Sequence, residues 1–359
     1  MTDFSIRDLL CSAVRSDASD IHLSVGKKPT LRIDGRLVYA QGTEPLSAEN
    51  LLGAMSEFLT PEQLKRYEED REYDFSFSIP MEENGQQRFR ANLFHEMGTP
   101  AAALRAIYTK VRTIRQLALP EELNLIAKKD RGLFIVTGPT GSGKSTTLAA
   151  LIHEINVSRP LHIVTIEDPI EYLYESKAAL IRQREVGRDT KSFANALRSA
   201  MRQDPDVIMI GELRDLETIA SAITAAETGH LVLATLHTRD AAQSVDRIVD
   251  VFPPYQQRQI CVQLSLILVG VLSQQLIPIN GSRGRVAATE YLVATDAVRN
   301  YIREGKSAQI NNVIQTGSAL GMHTMDQDLA RLCMSGVVTR DVAAAHAYDI
   351  DSFNRYMAC

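Results

Sequence analysis

One segment of the sequence carries a complete phosphate-binding pattern. It reads Gly138-Pro139-Thr140-Gly141-Ser142-Gly143-Lys144-Ser145 and satisfies G-x-x-x-x-G-K-[ST] between an apolar run and a helical stretch at residues 146–155. That placement argues against a glycine-rich turn without function. Backbone N–H groups of such a loop surround phosphate oxygens, while Lys144 reaches the β and γ phosphates and Ser145 coordinates Mg²⁺. The candidate nucleotide-binding residues are Thr140, Gly141, Ser142, Gly143, Lys144, Ser145 and Thr146.

Two acidic residues, Glu167 and Asp168, end the apolar run at residues 162–166. Open α/β sheets bind their ligands at the carboxyl ends of the strands, so we expect one or both carboxylates to hold Mg²⁺ or its water molecules. Glu167 is also a catalytic candidate. The alternative is that the pair only caps the next element, and the nearby phosphate loop favours the metal site.

A third acidic residue, Glu212, follows the run at residues 207–210. It could orient and deprotonate a water molecule that attacks a phosphate. Most P-loop proteins place an aspartate before this glutamate to help hold the metal, and here the residue is Gly211. The Glu167–Asp168 pair offers the missing carboxylate. An ordinary surface glutamate is the alternative.

Two histidines, His230 and His237, bracket the run at residues 231–234. Their spacing of seven has no partner set for a zinc site. A neutral histidine at a strand end could bond a γ-phosphate or its water, and we include both among the nucleotide-binding candidates. A histidine satisfied within the core is the alternative.

These candidates need a sheet that brings them to one edge. Four short apolar runs, at residues 133–136, 162–166, 207–210 and 231–234, are separated by helical patterns. Such runs are typical of a parallel sheet covered on both faces. We predict an α/β core over residues 119–254, preceded by a linker at residues 109–118.

Residues 1–108 predict a smaller α+β domain. Strands 30–33 and 36–39 flank a turn at Asp34-Gly35, and a second turn at Asn84-Gly85 separates two strands with alternating apolar residues. Thr60, Pro61 and Gln63 mark the start of a helix. In the strand at residues 87–95, apolar side chains share one face, so Arg88 and Arg90 share the other.

Residues 255–359 show mainly helical patterns, most clearly at residues 255–276, 296–304 and 324–334. The most apolar run, residues 264–272, is much shorter than the roughly 20 residues of a membrane-spanning helix. We therefore predict a buried helix there and a third, helical subdomain. Contact with a membrane is expected only through a partner.

Composition limits the function classes. The formal net charge is −5, with 45% hydrophobic and 23% charged residues, which is typical of a globular protein. The sequence has no basic stripe with interleaved aromatic residues, so no nucleic-acid partner is expected. Four cysteines lie far apart and indicate neither a disulfide framework nor a zinc site, which favours a reducing cytosol.

Four segments together resemble the secretion-superfamily ATPases, and most of all the type IV pilus retraction ATPase family, the PilT family. They are GPTGSGKSTT at residues 138–147, TIEDPIEY at 165–172, IMIGELRD at 208–215 and TAAETGHLVLATLHT at 224–238. In that family a glycine before the catalytic glutamate is normal. Gly211 therefore does not count against catalysis by Glu212.

The resemblance implies an α/β fold with three parts: a PAS-like α+β N-terminal domain, a RecA-like P-loop motor domain and a helical C-terminal subdomain. It also implies a homohexamer in which ATP binds between domains. The family's arginine pattern falls on Arg88, Arg90 and Arg105. Arg90 and Arg105 are the candidate arginine fingers, with Arg88 and Arg32 as further nucleotide contacts. Sheet-surface arginines without a catalytic role are the alternative.

Two further stretches favour retraction within the superfamily. AVRNYIRE at residues 297–304 is similar to the family's AIRNLIRE signature, and GMHTMDQDL at 321–329 is close to a second family segment. The tetracysteine insertion of the assembly ATPases is missing. The expected function is therefore ATP hydrolysis that powers pilus retraction and twitching motility.

The resemblance implies partners and a location as well. The expected partners are an inner-membrane pilus platform protein and a paralogous pilus ATPase, and the expected location is the cytoplasm at the inner face of the inner membrane, without direct membrane insertion. Three alternatives stay open: a PilU-like accessory retraction ATPase, a poorly hydrolysing nucleotide-binding structural subunit, and a RecA-like nucleic-acid motor.

Overall fold

The computed structural model describes residues 4–33, 35–81, 85–107, 111–282 and 284–358. Contacts divide the chain into two compact units, Met1–Lys110 and Val111–Cys359, here called the N-terminal unit and the motor unit. Across the described ranges, no helix combines the length and apolar character needed to cross a membrane.

In its described residues, the N-terminal unit is an antiparallel six-stranded sheet with three helices. Its sheet order is β3-β2-β1-β6-β5-β4. The elements are α1 (Ile6–Arg15), β1 (Ala18–Ser24), β2 (Thr30–Ile33), β3 (Arg36–Tyr39), α2 (Ala48–Ser56), α3 (Pro61–Asp70), β4 (Glu72–Met81), β5 (Gly85–Glu96) and β6 (Thr99–Ile107).

Apolar residues alternate with polar ones along strand β5, as the sequence predicts. Phe89, Ala91 and Leu93 of β5 are fully buried, and they pack with residues of α1 and α2 in one hydrophobic core. Helix α3 begins with the predicted capping box of Thr60 and Gln63. Helix α2 and strand β6 were not predicted.

The two predicted turns fall partly on undescribed positions, because Asp34 and Asn84 lie outside the described residues. The strands on either side pair as expected. Ile33 is opposite Arg36, and Met81 is opposite Gly85.

The motor unit is a seven-stranded mixed sheet with helices on both faces. Its order is β13-β12-β7-β11-β10-β8-β9. The strands are β7 (Gly132–Thr137), β8 (His162–Glu167), β9 (Leu180–Glu185), β10 (Val207–Ile210), β11 (Leu231–Thr235), β12 (Leu268–Pro278) and β13 (Arg285–Val293). The helices are α4 (Leu123–Ala127), α5 (Lys144–Ser158), α6 (Phe193–Ala200), α7 (Leu216–Glu227), α8 (Ala241–Asp250), α9 (Pro254–Ile267), α10 (Asp296–Arg303), α11 (Ile310–Thr316), α12 (Met325–Met334), α13 (Arg340–His346) and α14 (Ile350–Met357), with short 3₁₀ turns at Ser307–Gln309 and Ser318–Leu320.

The four predicted apolar strands are confirmed as β7, β8, β10 and β11, and they are parallel. Every residue of β7, β10 and β11 is buried. This explains their continuous apolar composition, since helices cover both faces of the sheet. Strand β9, which extends the sheet beyond β8, was not predicted.

The prediction of a helix across residues 264–272 is wrong. Helix α9 ends at Ile267, and the chain continues at once into β12, which lies between β7 and β13. A short apolar run has no periodicity that separates a buried helix from a buried strand. Residues 255–359 therefore combine helices with two strands of the central sheet.

The predicted domain boundaries stay predictions, with one observation about the linker at residues 109–118. Ile114 is 3% exposed and packs with Leu119 and Leu123 in a core cluster of the motor unit. Its neighbours Thr113 and Gln116 exchange side-chain to backbone hydrogen bonds. This part of the segment is packed structure.

Candidate active site

The parallel strands deliver the motor unit's candidate residues to a single edge. Strand β7 pairs with β11, β11 with β10, and β10 with β8, all in the same direction. Their carboxyl ends lead into the phosphate loop (residues 138–145), His237, Glu212 and Glu167. Ligands of open parallel sheets bind at this edge.

The phosphate loop has the backbone that its glycines permit. Gly138 has φ +141°, and a Cβ there would overlap the carbonyl oxygen of Gln274. Gly143 has φ +90° and directly precedes α5. Thr140 and Gly141 are exposed, whereas Ser142 is buried. The loop therefore presents backbone N–H groups at the positive end of a 15-residue helix.

Lys144 lies within this loop. Its Nζ donates to the carbonyl oxygens of Gly138 (2.8 Å) and Pro139 (3.0 Å). Burial lowers the pKa of Lys144, and the negative charges of Glu212 and Glu171 oppose that shift. A phosphate group beside the ammonium would stabilise the charge that burial deprives of hydration.

His237 connects Lys144 with Glu212. Its Nδ1 is 3.5 Å from Lys144 Nζ, and its Nε2 is 3.3 Å from Glu212 Oε1. The second oxygen of Glu212 accepts a hydrogen bond of 2.7 Å from Arg214 Nε. Lys144, His237, Glu212 and Arg214 thus form one contiguous polar chain at the strand ends.

Gly211 occupies the position where an aspartate is usual. A Cβ on Gly211 would lie 3.3 Å from the Ile166 carbonyl oxygen and 3.4 Å from Glu167 Cα. The Gly211 N–H donates to that same carbonyl at 2.8 Å. Close packing of β10 on β8 therefore leaves little space for an aspartate here.

Glu167 and Asp168 have different environments. Glu167 is 5% exposed, and its carboxyl accepts bonds from Thr165 Oγ1 (2.7 Å), Gln183 Nε2 (3.3 Å) and the Glu171 N–H (3.3 Å). Burial raises the pKa of Glu167 to about 7, although these hydrogen bonds oppose the shift. Asp168 is exposed, and its Oδ2 lies 4.0 Å from Arg214 Nη1. Asp168 is thus the carboxylate better placed to meet a hydrated cation.

The first turn of α5 carries the remaining loop candidates. Ser145 and Thr146 are half-buried, and Thr146 Oγ1 lies 2.9 Å from the hydroxyl of Tyr172. Tyr172 belongs to the TIEDPIEY segment that contains Glu167. The two motifs therefore touch.

The structure does not bring His230 to this site, which corrects our expectation for a nucleotide bound at the chain's own phosphate loop. His230 precedes β11, whereas His237 follows it, so the two histidines lie at opposite edges of the sheet. The His230 ring bonds to Ala225 O (2.9 Å) and Thr228 Oγ1 (3.2 Å), which is the satisfied arrangement considered as the alternative.

The four candidate arginines all lie on the polar face of the N-terminal unit's sheet. Three of them share one cross-strand row with Asp20 and Ser76, in the order Arg32, Asp20, Arg105, Arg90 and Ser76. Arg88 lies two residues from Arg90 on the same face, and its guanidinium donates to Ser76 Oγ at 2.8 Å. We call these residues the arginine row.

Asp20 organises the arginine row. Its Oδ1 accepts from Arg105 Nε at 2.8 Å, and its Oδ2 is 3.9 Å from Arg32 Nε. Burial alone would raise the pKa of Asp20, but the hydrogen bonds from Ser19 and Arg105 hold it below its usual value. Arg90 and Arg105 are exposed. Asp20 therefore holds Arg105 in place while that side chain stays exposed.

The AVRNYIRE segment lies in α10, where Val298 and Ile302 are buried. The Arg299 guanidinium donates to the carbonyls of Ser265 (2.6 Å) and Leu266 (2.9 Å) at the end of α9. Arg299 therefore caps a neighbouring helix.

Sequence reasoning missed several residues of the site. Arg214 and Tyr172 lie inside the quoted motifs, but no pattern assigned them a role. Thr147 and Gln274 bond to each other under the phosphate loop and are 127 positions apart. Asp20 lies opposite Arg105, which is 85 positions away. Only the folded sheets bring these partners together.

A phosphate loop with a buried lysine, next to a histidine and a carboxylate at the carboxyl edge of a parallel sheet, defines a P-loop nucleotide hydrolase. Comparison with known proteins narrows this class. The chain belongs to the family described as Type II/IV secretion system protein, which matches residues 3–341.

Three relatives illustrate the similarity. The type IV pilus retraction ATPase PilT of Pseudomonas aeruginosa is 47% identical over 348 residues, covering 97% of this chain and 99% of that protein. The type IV pilus ATPase PilU of the same organism is 40% identical over 343 residues, covering 94% and 87%. A crystal structure of the pilus retraction motor PilT with bound ADP superposes with a TM-score of 0.90 at 43% identity, covering 98% of this chain and 99% of that one.

These comparisons confirm the predicted family, the α/β fold class with a RecA-like P-loop core, and the assignment to the ATP hydrolases. The site residues named above, their individual roles and the domain boundaries stay predictions.

Proposed function

We propose that this chain is a motor that hydrolyses ATP to power retraction of a type IV pilus. The observation that carries this proposal is the chain of contacts from Lys144 through His237 to Glu212 at the carboxyl edge of the sheet. It joins a group that binds phosphate to a group that can accept a proton. The similarity to the retraction ATPase extends over almost the whole of both proteins.

The residues divide the reaction between them. Backbone N–H groups of the phosphate loop and Lys144 hold the β and γ phosphates. Glu212 orients the attacking water and accepts its proton. Arg214 Nε donates a hydrogen bond of 2.7 Å to Glu212 and so fixes the orientation of its carboxylate. His237 lies between base and lysine, where it senses whether a γ-phosphate is present.

Magnesium fits the oxygen donors at this edge. The Ser145 hydroxyl and the Asp168 carboxylate would hold it, while Glu167, buried and already accepting three hydrogen bonds, would act on its water shell. When bound, the ion neutralises charge on the phosphates. Among the described residues no group of three or more histidine, cysteine, aspartate or glutamate side chains is arranged to hold a metal. Phosphate oxygens and water would therefore complete the coordination.

The arginine row supports a composite site in a homohexamer. Arg90 and Arg105 are exposed on an open sheet face, and we propose that they stabilise the transferring phosphoryl group as arginine fingers. Arg88 and Arg32 would hold the nucleotide beside them. Such a ring would work in the cytoplasm at the inner face of the inner membrane, against a pilus platform protein.

The test combines hydrolysis with motility. Purified protein should release phosphate from ATP in the presence of Mg²⁺ and lose that activity with EDTA. Lys144→Ala should abolish hydrolysis, whereas Lys128→Ala, which removes an exposed lysine, should not. Expression in a strain that lacks its retraction ATPase should restore twitching. Equal hydrolysis in wild type and Lys144→Ala would refute the site.

The accessory role is the second candidate, because the chain is also 40% identical to PilU. An accessory ATPase would hydrolyse ATP but restore twitching only when the primary retraction ATPase is present. Expression in strains lacking one or both ATPases separates the two roles. We expect this chain to act alone.

A further inference from the structure

The side chain of Gln274, from β12, bonds to the phosphate loop from below. Its Nε2 donates to the carbonyl oxygen of Ser142 at 2.6 Å, and its Oε1 accepts from Thr147 Oγ1 at 2.8 Å. Gln274 is 1% exposed and Thr147 is 2% exposed. One buried amide therefore joins the phosphate loop to the first turn of α5.

The bond to Ser142 determines the direction of a phosphate-binding group. The Ser142 carbonyl and the Gly143 N–H belong to one planar trans peptide unit and point in opposite directions. Because Gln274 holds this carbonyl beneath the loop, the Gly143 N–H points to the outer side, where phosphate binds. Rotation of this peptide would turn the donor away from the ligand.

The contacts with Ser142 and Thr147 together hold the amide in one orientation. A glutamine amide can rotate and exchange its oxygen and nitrogen positions, but the Ser142 carbonyl only accepts, so Nε2 must face it. Oε1 then faces the Thr147 hydroxyl, which can donate or accept and here donates to it. The Gln274 main chain contributes too, because its carbonyl oxygen fills the space beside Gly138 that a Cβ would need.

The neighbouring residue offers a matched comparison. Gln275 also makes side-chain contacts, with His346 Nδ1 at 3.0 Å and His346 O at 3.4 Å. It lies on the opposite face of β12 from Gln274, since successive strand residues alternate in direction, and its amide bonds to α13 instead of to Ser142 and Thr147. The two glutamines thus differ in what they hold and not in type or strand.

We propose that Gln274 is a positioning residue for nucleotide binding: it holds the Ser142–Gly143 peptide in the orientation that receives phosphate before the nucleotide arrives. This inference rests on the proposed function of the phosphate loop. Without the Gln274 hydrogen bonds, part of the binding free energy is used to order the loop, so the affinity for nucleotide falls. Once nucleotide has ordered the loop, turnover proceeds at nearly the wild-type rate.

The experiment compares Gln274→Met with Gln275→Met in the full-length protein. Methionine keeps the length of the side chain and removes both polar contacts. For Gln274→Met we expect the Kd for ADP, measured by titration calorimetry, and the KM for ATP to rise about tenfold, with kcat changed less than about threefold. For Gln275→Met we expect wild-type Kd and KM. Thermal melts of both variants identify any loss of folded protein.

A double-mutant cycle tests whether the Thr147 hydroxyl acts through Gln274. Thr147→Val removes the hydroxyl and should raise the Kd, whereas Thr147→Ser restores it and should return the Kd towards wild type. Thr147→Val combined with Gln274→Met should be no weaker than Gln274→Met alone, because both changes break one unit. Gln274→Glu, which keeps the acceptor and loses the donor to Ser142, should bind as weakly as Gln274→Met and serves if methionine prevents folding.

The outcomes separate the two claims. An unchanged Kd and KM in folded Gln274→Met and Gln274→Glu, with only a lower Tm, would show that Gln274 merely stabilises the fold and would overturn the inference. Additive losses of nucleotide affinity in the double-mutant cycle would show that Thr147 and Gln274 act independently. Absence of ADP binding by the wild-type protein would overturn the proposed function and this inference together.

Discussion

A buried carboxyl group in the motor unit makes stability depend on pH in a direction that can be calculated. Glu290 of β13 is 3% exposed, and its Oε1 accepts a bond of 2.9 Å from the Ala241 N–H at the start of α8. Burial raises the pKa of Glu290 to about 7, although this bond and one from the Met325 backbone oppose the shift. Glu290 therefore joins the starts of α8 and α12.

The sign follows from proton linkage. Between pH 4.5, the ordinary pKa of the carboxyl, and about 7, the folded state binds more protons at Glu290 than the unfolded state does. The stability that the folded protein gains from the protonated form of Glu290 is therefore fully present below pH 4.5. It is lost as the pH rises to about 7. Raising the pKa of Glu290 from 4.5 to about 7 corresponds to about 3 kcal/mol. For a unit of this size that is roughly 6–12 °C in Tm.

Glu290→Gln tests this linkage, because the amide keeps an acceptor for the Ala241 N–H and cannot ionise. We expect the variant to gain stability relative to wild type as the pH of a melting series rises from about 4.5 to about 8. The matched control is Glu227→Gln, in an exposed carboxyl group of the same unit, which should follow wild type. A constant difference between Glu290→Gln and wild type across this range would refute the reasoning.

Three further predictions concern the site. Glu212→Gln should keep ATP binding and lose about 10²–10⁴-fold in hydrolysis, because the amide cannot accept the proton; equal rates would shift the base to another residue. Arg90→Ala or Arg105→Ala should leave ADP binding detectable and slow turnover by about 10³–10⁵-fold. Mixing either with Glu212→Gln should restore some activity if the site is composite, and a lack of rescue at every concentration would contradict that arrangement. Gly138→Ala should cost about 1–3 kcal/mol in denaturant unfolding and weaken ADP binding, because its φ of +141° and the nearby Gln274 carbonyl exclude a Cβ; a wild-type unfolding curve would contradict this.

The parts of the fold that local chemistry determines were predictable. Four apolar runs became parallel strands because helices on both faces leave no polar side. The phosphate loop was recognisable because its glycines adopt positive φ angles that other residues rarely adopt. Alternation in β5 also separated Phe89, Ala91 and Leu93 from the arginines.

The remaining features depend on contacts between distant segments. The apolar run at residues 264–272 is compatible with a buried helix or a buried strand. Helix α9 ends at Ile267 because the residues that follow pair with β7 and β13. Gln274 differs from Gln275 only in which face of that strand it occupies. His230 and His237 were equivalent candidates until the direction of β11 placed one at each edge of the sheet.

Strand β12 is longer than its parallel neighbour, and the excess has a mechanical meaning. Its pairing with β7 ends at Ser273, whereas its pairing with β13 continues to Pro278. This projecting ribbon carries Gln274 near its base and Ile277 further out, where Ile277 joins a hydrophobic cluster with α12 and α14. A hydrogen-bonded ribbon resists stretching along its strands far more than a loop does. Force applied to the C-terminal helices would therefore be transmitted along β12 to Gln274, which bonds to the phosphate loop. Mechanical load and nucleotide binding would then act on the same strand.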